Sequence, residues 1–286
     1  MIQHLGIVGA GQLGTGLAKL AILNNIDTLL YDINETLLRR SIERLKADFR
    51  QAVQQNVLSA EKYLAALERL KTRTSLSDLG HCNIIIEAVV EDARVKKDLF
   101  KHLDADCKVT TILATTSPSL LVSSIGSAAR NTERIIGFHF FDHAASSELV
   151  EIIPNINTPA GIISDAAAMI RTMGKTPIIV KDVPGAIVEP TLHVLYYEAC
   201  YLLIEQVADE SQIDNLVRQN LGLHLGPFQK MDTIGIDTIL AIGESIFEQS
   251  YNDPCFRPPR IIRQMVEAGL TGQKSGKGFY RYENKQ

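Results

Sequence analysis

Leu5-Gly6-Ile7-Val8-Gly9-Ala10-Gly11-Gln12-Leu13-Gly14 begins as an apolar run, becomes a glycine-rich turn and leads into the helical stretch Thr15 to Leu23. That order predicts strand, tight turn and helix. Gly9 makes the turn, Gly11 lets a pyrophosphate approach the backbone, and Gly14 lets helix and strand pack closely. The start of the helix presents backbone N–H groups to an anion. The next apolar run, Thr28-Leu29-Leu30-Tyr31, ends in Asp32. Glycines followed by an acid at this spacing form a dinucleotide-binding fingerprint. A carboxylate at Asp32 accepts both ribose hydroxyls and repels a 2′-phosphate. Ile33-Asn34-Glu35 supplies no cation to receive such a phosphate, so NAD is expected over NADP.

Outward from this unit, the 286 residues suffice for two domains. A net charge of −4 gives no basic footprint for nucleic acid. Cys82, Cys107, Cys200 and Cys255 form no C-x-x-C pair and have no metal-ligand spacing with His, so no metal is expected and all four read as reduced thiols. No apolar run reaches the length of a membrane span. The first strand is expected to start with no signal peptide before it, and the location to be cytoplasmic.

After Asp32, the apolar residues Leu37, Leu38, Ile42, Leu45, Phe49 and Val53 recur at helical spacing from Asn34, a plausible N-cap, to about Asn56. A second helix is expected from Ser59 to about Leu70, giving a helical hairpin. Strands are expected over Asn83–Ala88, Thr110–Ala114, Arg134–Phe138 (ending in His139), Glu148–Ile153 and Thr176–Val180, with a helix over Glu91 to about Leu103. Alternation of this kind predicts a doubly wound α/β sheet, the Rossmann type, over residues 1–184. Pro184-Gly185 marks a break, beyond which residues 185–286 read as all-helical. Helices there fit Pro190 to Gln206, Glu210 to Leu221, Gly226 to Ile246 (broken at Gly235) and Pro258 to Ala268.

His139 falls at the carboxyl end of a strand, the edge where such sheets bind ligands. Glu151 interrupts Leu149-Val150-Glu151-Ile152-Ile153. A carboxylate among such residues needs a partner, and a nearby imidazole can be one. Ser117 ends another strand on the same edge. Ser, His and Glu beside a nicotinamide would make an alcohol dehydrogenase site. His would take the hydroxyl proton, Glu would orient the ring, and Ser would bond the reacting oxygen.

Further motifs share an order and spacing: Glu87-Ala88-Val89-Val90-Glu91 with Lys96, Thr116-Ser117, Gly137-Phe138-His139-Phe140-Phe141, Leu149-Val150-Glu151, Lys181-Asp182-Val183-Pro184-Gly185, Gly226-Pro227-Phe228 with Asp232, and Gly276-Lys277-Gly278-Phe279-Tyr280. Over nearly the whole chain they resemble the L-3-hydroxyacyl-CoA dehydrogenases. The resemblance implies oxidation of a 3-hydroxyacyl thioester by NAD, with His139 as base, Glu151 as its partner and Ser117 on the substrate oxygen. It also implies Gln12, Leu13, Asp32, Val89, Val90, Glu91, Lys96, Ser117, Asp142 and Lys274 around the cofactor, and a homodimer through the helical domain. The thioester could be carried by CoA or by a carrier protein's phosphopantetheine, and a free hydroxy acid is a further possibility. A non-catalytic NAD-binding dimer is the competing reading.

Four departures bear on the substrate. The family has His-Phe-Phe-Asn-Pro where this chain has His139-Phe140-Phe141-Asp142-His143. The family has Pro-Gly-Phe-Ile-Val-Asn-Arg where this chain has Pro184-Gly185-Ala186-Ile187-Val188-Glu189-Pro190. The Asn implied to donate to substrate becomes Glu189, which as a carboxylate can only accept. The family's CoA-contacting serine and lysine fall on Asp48 and Gln55, with Lys46 and Arg50 close by to substitute. Ser147-Glu148 replaces Met-Lys. The common direction, toward acid or away from cation, suggests a substrate bringing its own donors or a positive charge; the alternative is drift with weakened activity.

Overall fold

A computed structural model describes residues 3–141 and 147–282. The chain divides into two compact units, Met1–Ser117 with Leu121–Asp182, and Pro118–Leu120 with Val183–Gln286.

The first unit is built on eight strands: β1 (His4–Val8), β2 (Asp27–Tyr31), β3 (Leu70–Arg73), β4 (Ile84–Glu87), β5 (Ile112–Thr115), β6 (Ile135–Phe140), β7 (Leu149–Pro154) and β8 (Thr176–Ile179). Their order in the sheet is β3-β2-β1-β4-β5-β6-β7-β8. β4, β5 and β6 are buried at every residue, as strands covered on both faces must be. β1 pairs with β2 on one side and β4 on the other, both parallel. The chain therefore reverses its direction of travel across the sheet beside β1, the position where open sheets hold ligands. β7 is antiparallel to β6. Residues 141–148 are too few for the crossover of about a dozen residues that a parallel pair needs.

Helices α1 (Gln12–Leu23), α2 (Glu35–Gln54), α3 (Ala60–Glu68), α4 (Ala93–Asp106), α5 (Val122–Gly126) and α6 (Ala160–Thr172) complete this unit. Asn34 caps α2 by accepting from Thr36 and Leu37, and Ser59 caps α3 by accepting from Lys62. The hairpin of α2 and α3 packs on α1 through Ile22, Leu45, Phe49 and Ala66. The sheet core joins Leu5, Ile7, Ile84, Ile86 and Phe138 to Leu17 of α1 and Met169 of α6.

The structure departs from sequence expectation at several places, among them the short helix α5 and the later α7, which runs Val188–Ile204 rather than from Pro190 to Gln206. α3 ends at Glu68, and Leu70 begins β3 instead. Leu70-Lys71-Thr72-Arg73 carries almost no apolar signal because an edge strand pairs on one side only, here with β2. α6 is an unanticipated helix whose buried face joins Met169 and Ile170 to Ala166 and Ala167, the last two too small to strengthen its periodicity. The helix expected from Glu91 begins at Ala93, because the Asp92 side chain accepts from Arg94 and Val95 and caps it. β6 runs on to Phe140, so His139 lies inside a strand rather than at its end.

The second unit holds α7 (Val188–Ile204), α8 (Glu210–Leu221), α9 (Pro227–Ile234), α10 (Ile236–Gln249) and α11 (Arg260–Glu267). Gly235, at φ +105°, separates α9 from α10. Asp209 and Gln212 form a capping box on α8, which ends at left-handed Gly222. The core gathers Tyr196, Cys200, Phe228, Met231, Ile239 and Ile262.

Candidate active site

Tyr31, Val8, Glu87, Thr115, Gly137 and Ile153 form one row across the sheet, each in register with the next. Asp32, Gly9, Ala88 and Thr116 follow one residue beyond the row, Ser117 and His139 two beyond. Ladder register thus gathers most of the expected site residues of the first unit along one edge.

The three glycines are glycine for different reasons. Gly9 has φ +111°, and a Cβ there would lie 2.4 Å from the Ala88 carbonyl oxygen. A Cβ on Gly14 would lie 1.9 Å from the Gly9 carbonyl oxygen. A Cβ on Gly11 would meet no protein atom within 4 Å. The fold therefore imposes the first and third, while the second leaves backbone open to a ligand, as a pyrophosphate requires. Asp32 accepts from the Ala10 N–H through Oδ2 and from the Asn34 N–H through Oδ1, each at 2.8 Å. Those bonds hold the carboxylate at the mouth of the glycine turn, and each oxygen retains a lone pair for a ribose hydroxyl. Ile33 and Val90, 85% and 67% exposed, offer apolar surface on the loops after β2 and β4. Gln12 is exposed and Leu13 half-buried in the first turn of α1, and Val89 is half-buried. This cradle fits a dinucleotide.

Beside it runs a chain of charges. Glu87, fully buried, accepts from Thr115 Oγ1 at 2.7 Å, from the Val89 N–H at 2.8 Å and from Lys96 Nζ at 2.6 Å. Lys96 Nζ also stands 3.2 Å from Glu91 Oε2, and Ser117 Oγ donates to Glu91 Oε1. Lys96 is only 1% exposed, so its ammonium is committed to two carboxylates inside the protein. Sequence reasoning assigned no role to Glu87 or Thr115. The signal was present: an acid closing the run Ile84-Ile85-Ile86 needs a partner as much as Glu151 does.

His139 and Glu151 are directly opposite in the β6–β7 ladder. Nδ1 of His139 lies 2.8 Å from Oε2 of Glu151, and both residues are buried. The ring also meets Phe141 edge-on at 4.7 Å. A carboxylate at Nδ1 holds the proton there and places the lone pair on Nε2.

Other expected residues have other surroundings. Lys274 belongs to the second unit, where Nζ lies 2.6 Å from Asp237 Oδ2. Glu189 occupies the first turn of α7, facing His193. Asp142 lies outside the described residues. Lys19 of α1 binds Asp48 of α2 at 3.0 Å and, within α2, Glu43 binds Lys46 at 3.0 Å, while Arg50 is exposed. Among the described residues no cluster of His, Cys, Asp or Glu is placed to hold a metal, and no helix is long and apolar enough to cross a membrane.

Comparison with known proteins agrees with this geometry. The family model of the 3-hydroxyacyl-CoA dehydrogenase NAD binding domain matches residues 4–183, and that of the 3-hydroxyacyl-CoA dehydrogenase C-terminal domain matches residues 185–282. The chain is 32% identical over 284 residues to a probable 3-hydroxybutyryl-CoA dehydrogenase of Bacillus subtilis, covering 99% of each chain. Its structure is similar to that of FadB2 from M. tuberculosis, at TM-score 0.95 and 30% identity over 99% of each chain. It is also similar to (S)-3-hydroxybutyryl-CoA dehydrogenase PaaH1 from Ralstonia eutropha, at TM-score 0.94 and 30% identity over 99% of this chain and 100% of that one. With both halves matched end to end, and an NAD cradle sharing its sheet edge with a His–Glu pair, the chain belongs to the 3-hydroxyacyl-CoA dehydrogenase family.

Proposed function

We propose that this protein is an NAD-dependent 3-hydroxyacyl-CoA dehydrogenase, with a short-chain ester such as 3-hydroxybutyryl-CoA as the reference substrate, and that His139, Glu151 and Ser117 carry the reaction. The observation that carries this reading is the buried His139–Glu151 pair at 2.8 Å on the same sheet edge as the glycine cradle. NAD, when bound, supplies the hydride acceptor. His139 takes the substrate hydroxyl proton at Nε2, and Glu151 stabilises the imidazolium that results. Ser117 Oγ, held against Glu91, turns its hydroxyl to donate to the substrate oxygen, whose own proton goes to His139. Gly9, Gly11, Gly14, Gln12, Leu13, Asp32, Val89, Val90 and Glu91 hold the cofactor. Lys96 acts through Glu91. Glu189, at the position of the Asn that the family resemblance implies to contact substrate, is the proposed selectivity residue.

The helical unit is the proposed dimer surface, supported by exposed Tyr201 and Ile204 on α7, Leu216 and Leu221 on α8, and Val207 between them. Light scattering should give twice the chain mass. A reducing compartment such as the cytoplasm suits four free cysteines. CoA esters, carrier-protein thioesters and free hydroxy acids, compared as substrates by absorbance of NADH, identify the tether. On the preferred substrate, His139→Gln should lower kcat by about 10²–10⁴ while NAD affinity holds. Unchanged turnover in that variant would remove His139 from the chemistry.

A further inference from the structure

Glu189 stands where the family pattern has an amide, and its surroundings explain how the chain keeps an acid there. His193 lies one helical turn further along α7 and is fully buried. Its Nδ1 is 2.8 Å from the Glu189 carbonyl oxygen, and its Nε2 is 3.1 Å from the Ile239 carbonyl oxygen on α10. Both are acceptors only. A neutral imidazole has one N–H and one lone pair, so it can satisfy one of the two carbonyls and must turn a lone pair on the other. The imidazolium satisfies both. Its counter-charge is at hand: Glu189 Oε2 lies 3.5 Å from Nδ1.

Among the described residues, two tyrosines pack against the ring. Tyr196 and Tyr197 meet the ring edge-on at 5.9 and 5.7 Å. Burial raises the Tyr197 phenol far above its ordinary range, so it carries no charge at neutral pH. Its hydroxyl is wedged against Gly243 on α10, where a Cβ would sit 1.9 Å away. Glu244 on α10 adds its field at Tyr197. Among the described residues, Glu189 is the carboxylate within ion-pair reach of His193.

We propose that His193 is a buried imidazolium that fixes Glu189 as a carboxylate anion, making Glu189 a permanent hydrogen-bond acceptor toward the substrate. His193 is a positioning residue and does not touch substrate. The consequence for specificity rests on the proposed place of Glu189 beside the substrate. There a fixed anion selects a 3-hydroxyacyl group that brings an N–H, an O–H or a positive charge of its own, and disfavours a plain alkyl chain.

The first test does not involve turnover, so it stands whatever the activity proves to be. In long-range proton–nitrogen spectra of protein labelled with ¹⁵N-histidine at pH 7.5, with His193 assigned by His193→Gln, both ring nitrogens should carry protons. One protonated and one bare nitrogen would overturn the proposal. In Glu189→Gln the second proton should be lost at the same pH, and its persistence would show that Glu189 is not the counter-ion. The second test reads selectivity. Glu189→Asn should shift the ratio of kcat/KM for 3-hydroxybutyryl-CoA over an amino-bearing 3-hydroxyacyl-CoA at least about tenfold toward the former. An unchanged ratio would overturn the assignment of specificity to this pair, while leaving the dehydrogenase reading intact.

Discussion

Glu151 does more for His139 than neutralise it. By accepting at Nδ1 across 2.8 Å it selects which ring nitrogen is left to take a proton. Glu151→Gln keeps the volume but can present an amide N–H to the ring, which favours the opposite tautomer. The expected result is a kcat lowered about a thousand-fold with NAD affinity unchanged, measured by steady-state kinetics and cofactor titration. A loss of both together would mean that Glu151 mainly holds the fold. Ser117 is held in a similar way by Glu91, which accepts from its hydroxyl. In both cases a carboxylate holds a neighbouring side chain by a hydrogen bond, and the neighbour is a residue proposed to meet the substrate.

At the scale of elements, the site depends on how strands end and helices begin. Asp92 caps α4 with bonds to Arg94 and Val95, and these hold its carboxyl below the ordinary range. A depressed value in the folded state means stability present above the unfolded value of 3.8 and lost as pH falls through the folded value. Asp92→Ala should therefore lower Tm at pH 7, with the gap to the parent closing below about pH 3.8 in thermal melts. Gly14→Ala sets a methyl group 1.9 Å from the Gly9 carbonyl oxygen. Helix α1 must then move off the turn. A loss of NAD affinity together with about 1–3 kcal/mol of stability is expected, measured by cofactor titration and urea unfolding. The glycine turn, Asp32 and the His139–Glu151 pairing were legible in the sequence because each is a local pattern with a single physical cause. β3 was not, since an edge strand needs little apolar residue content. Thr115 was not, since its importance appears only when β4 and β5 lie in register and set it beside Glu87. The Glu189–His193 contact could have been found from helical spacing alone, because i and i+4 share a face.

Across the whole molecule, burial divides the thiols. It raises Cys82 to about 12, Cys107 to about 11 and Cys200 to about 12, while Cys255 is exposed. A native sample treated with a thiol-reactive chromophore should release one equivalent quickly, and the other three only on unfolding. Fast release of more than one would show that a core opens readily.

The antiparallel pairing of β6 and β7 reaches further than its length suggests. His139 and Glu151 face each other because main-chain bonds index them, and those bonds are indifferent to which side chains stand elsewhere in the protein. Residues elsewhere, such as Glu189 or Asp48, can therefore be exchanged without disturbing the way this imidazole and carboxylate are set opposite each other.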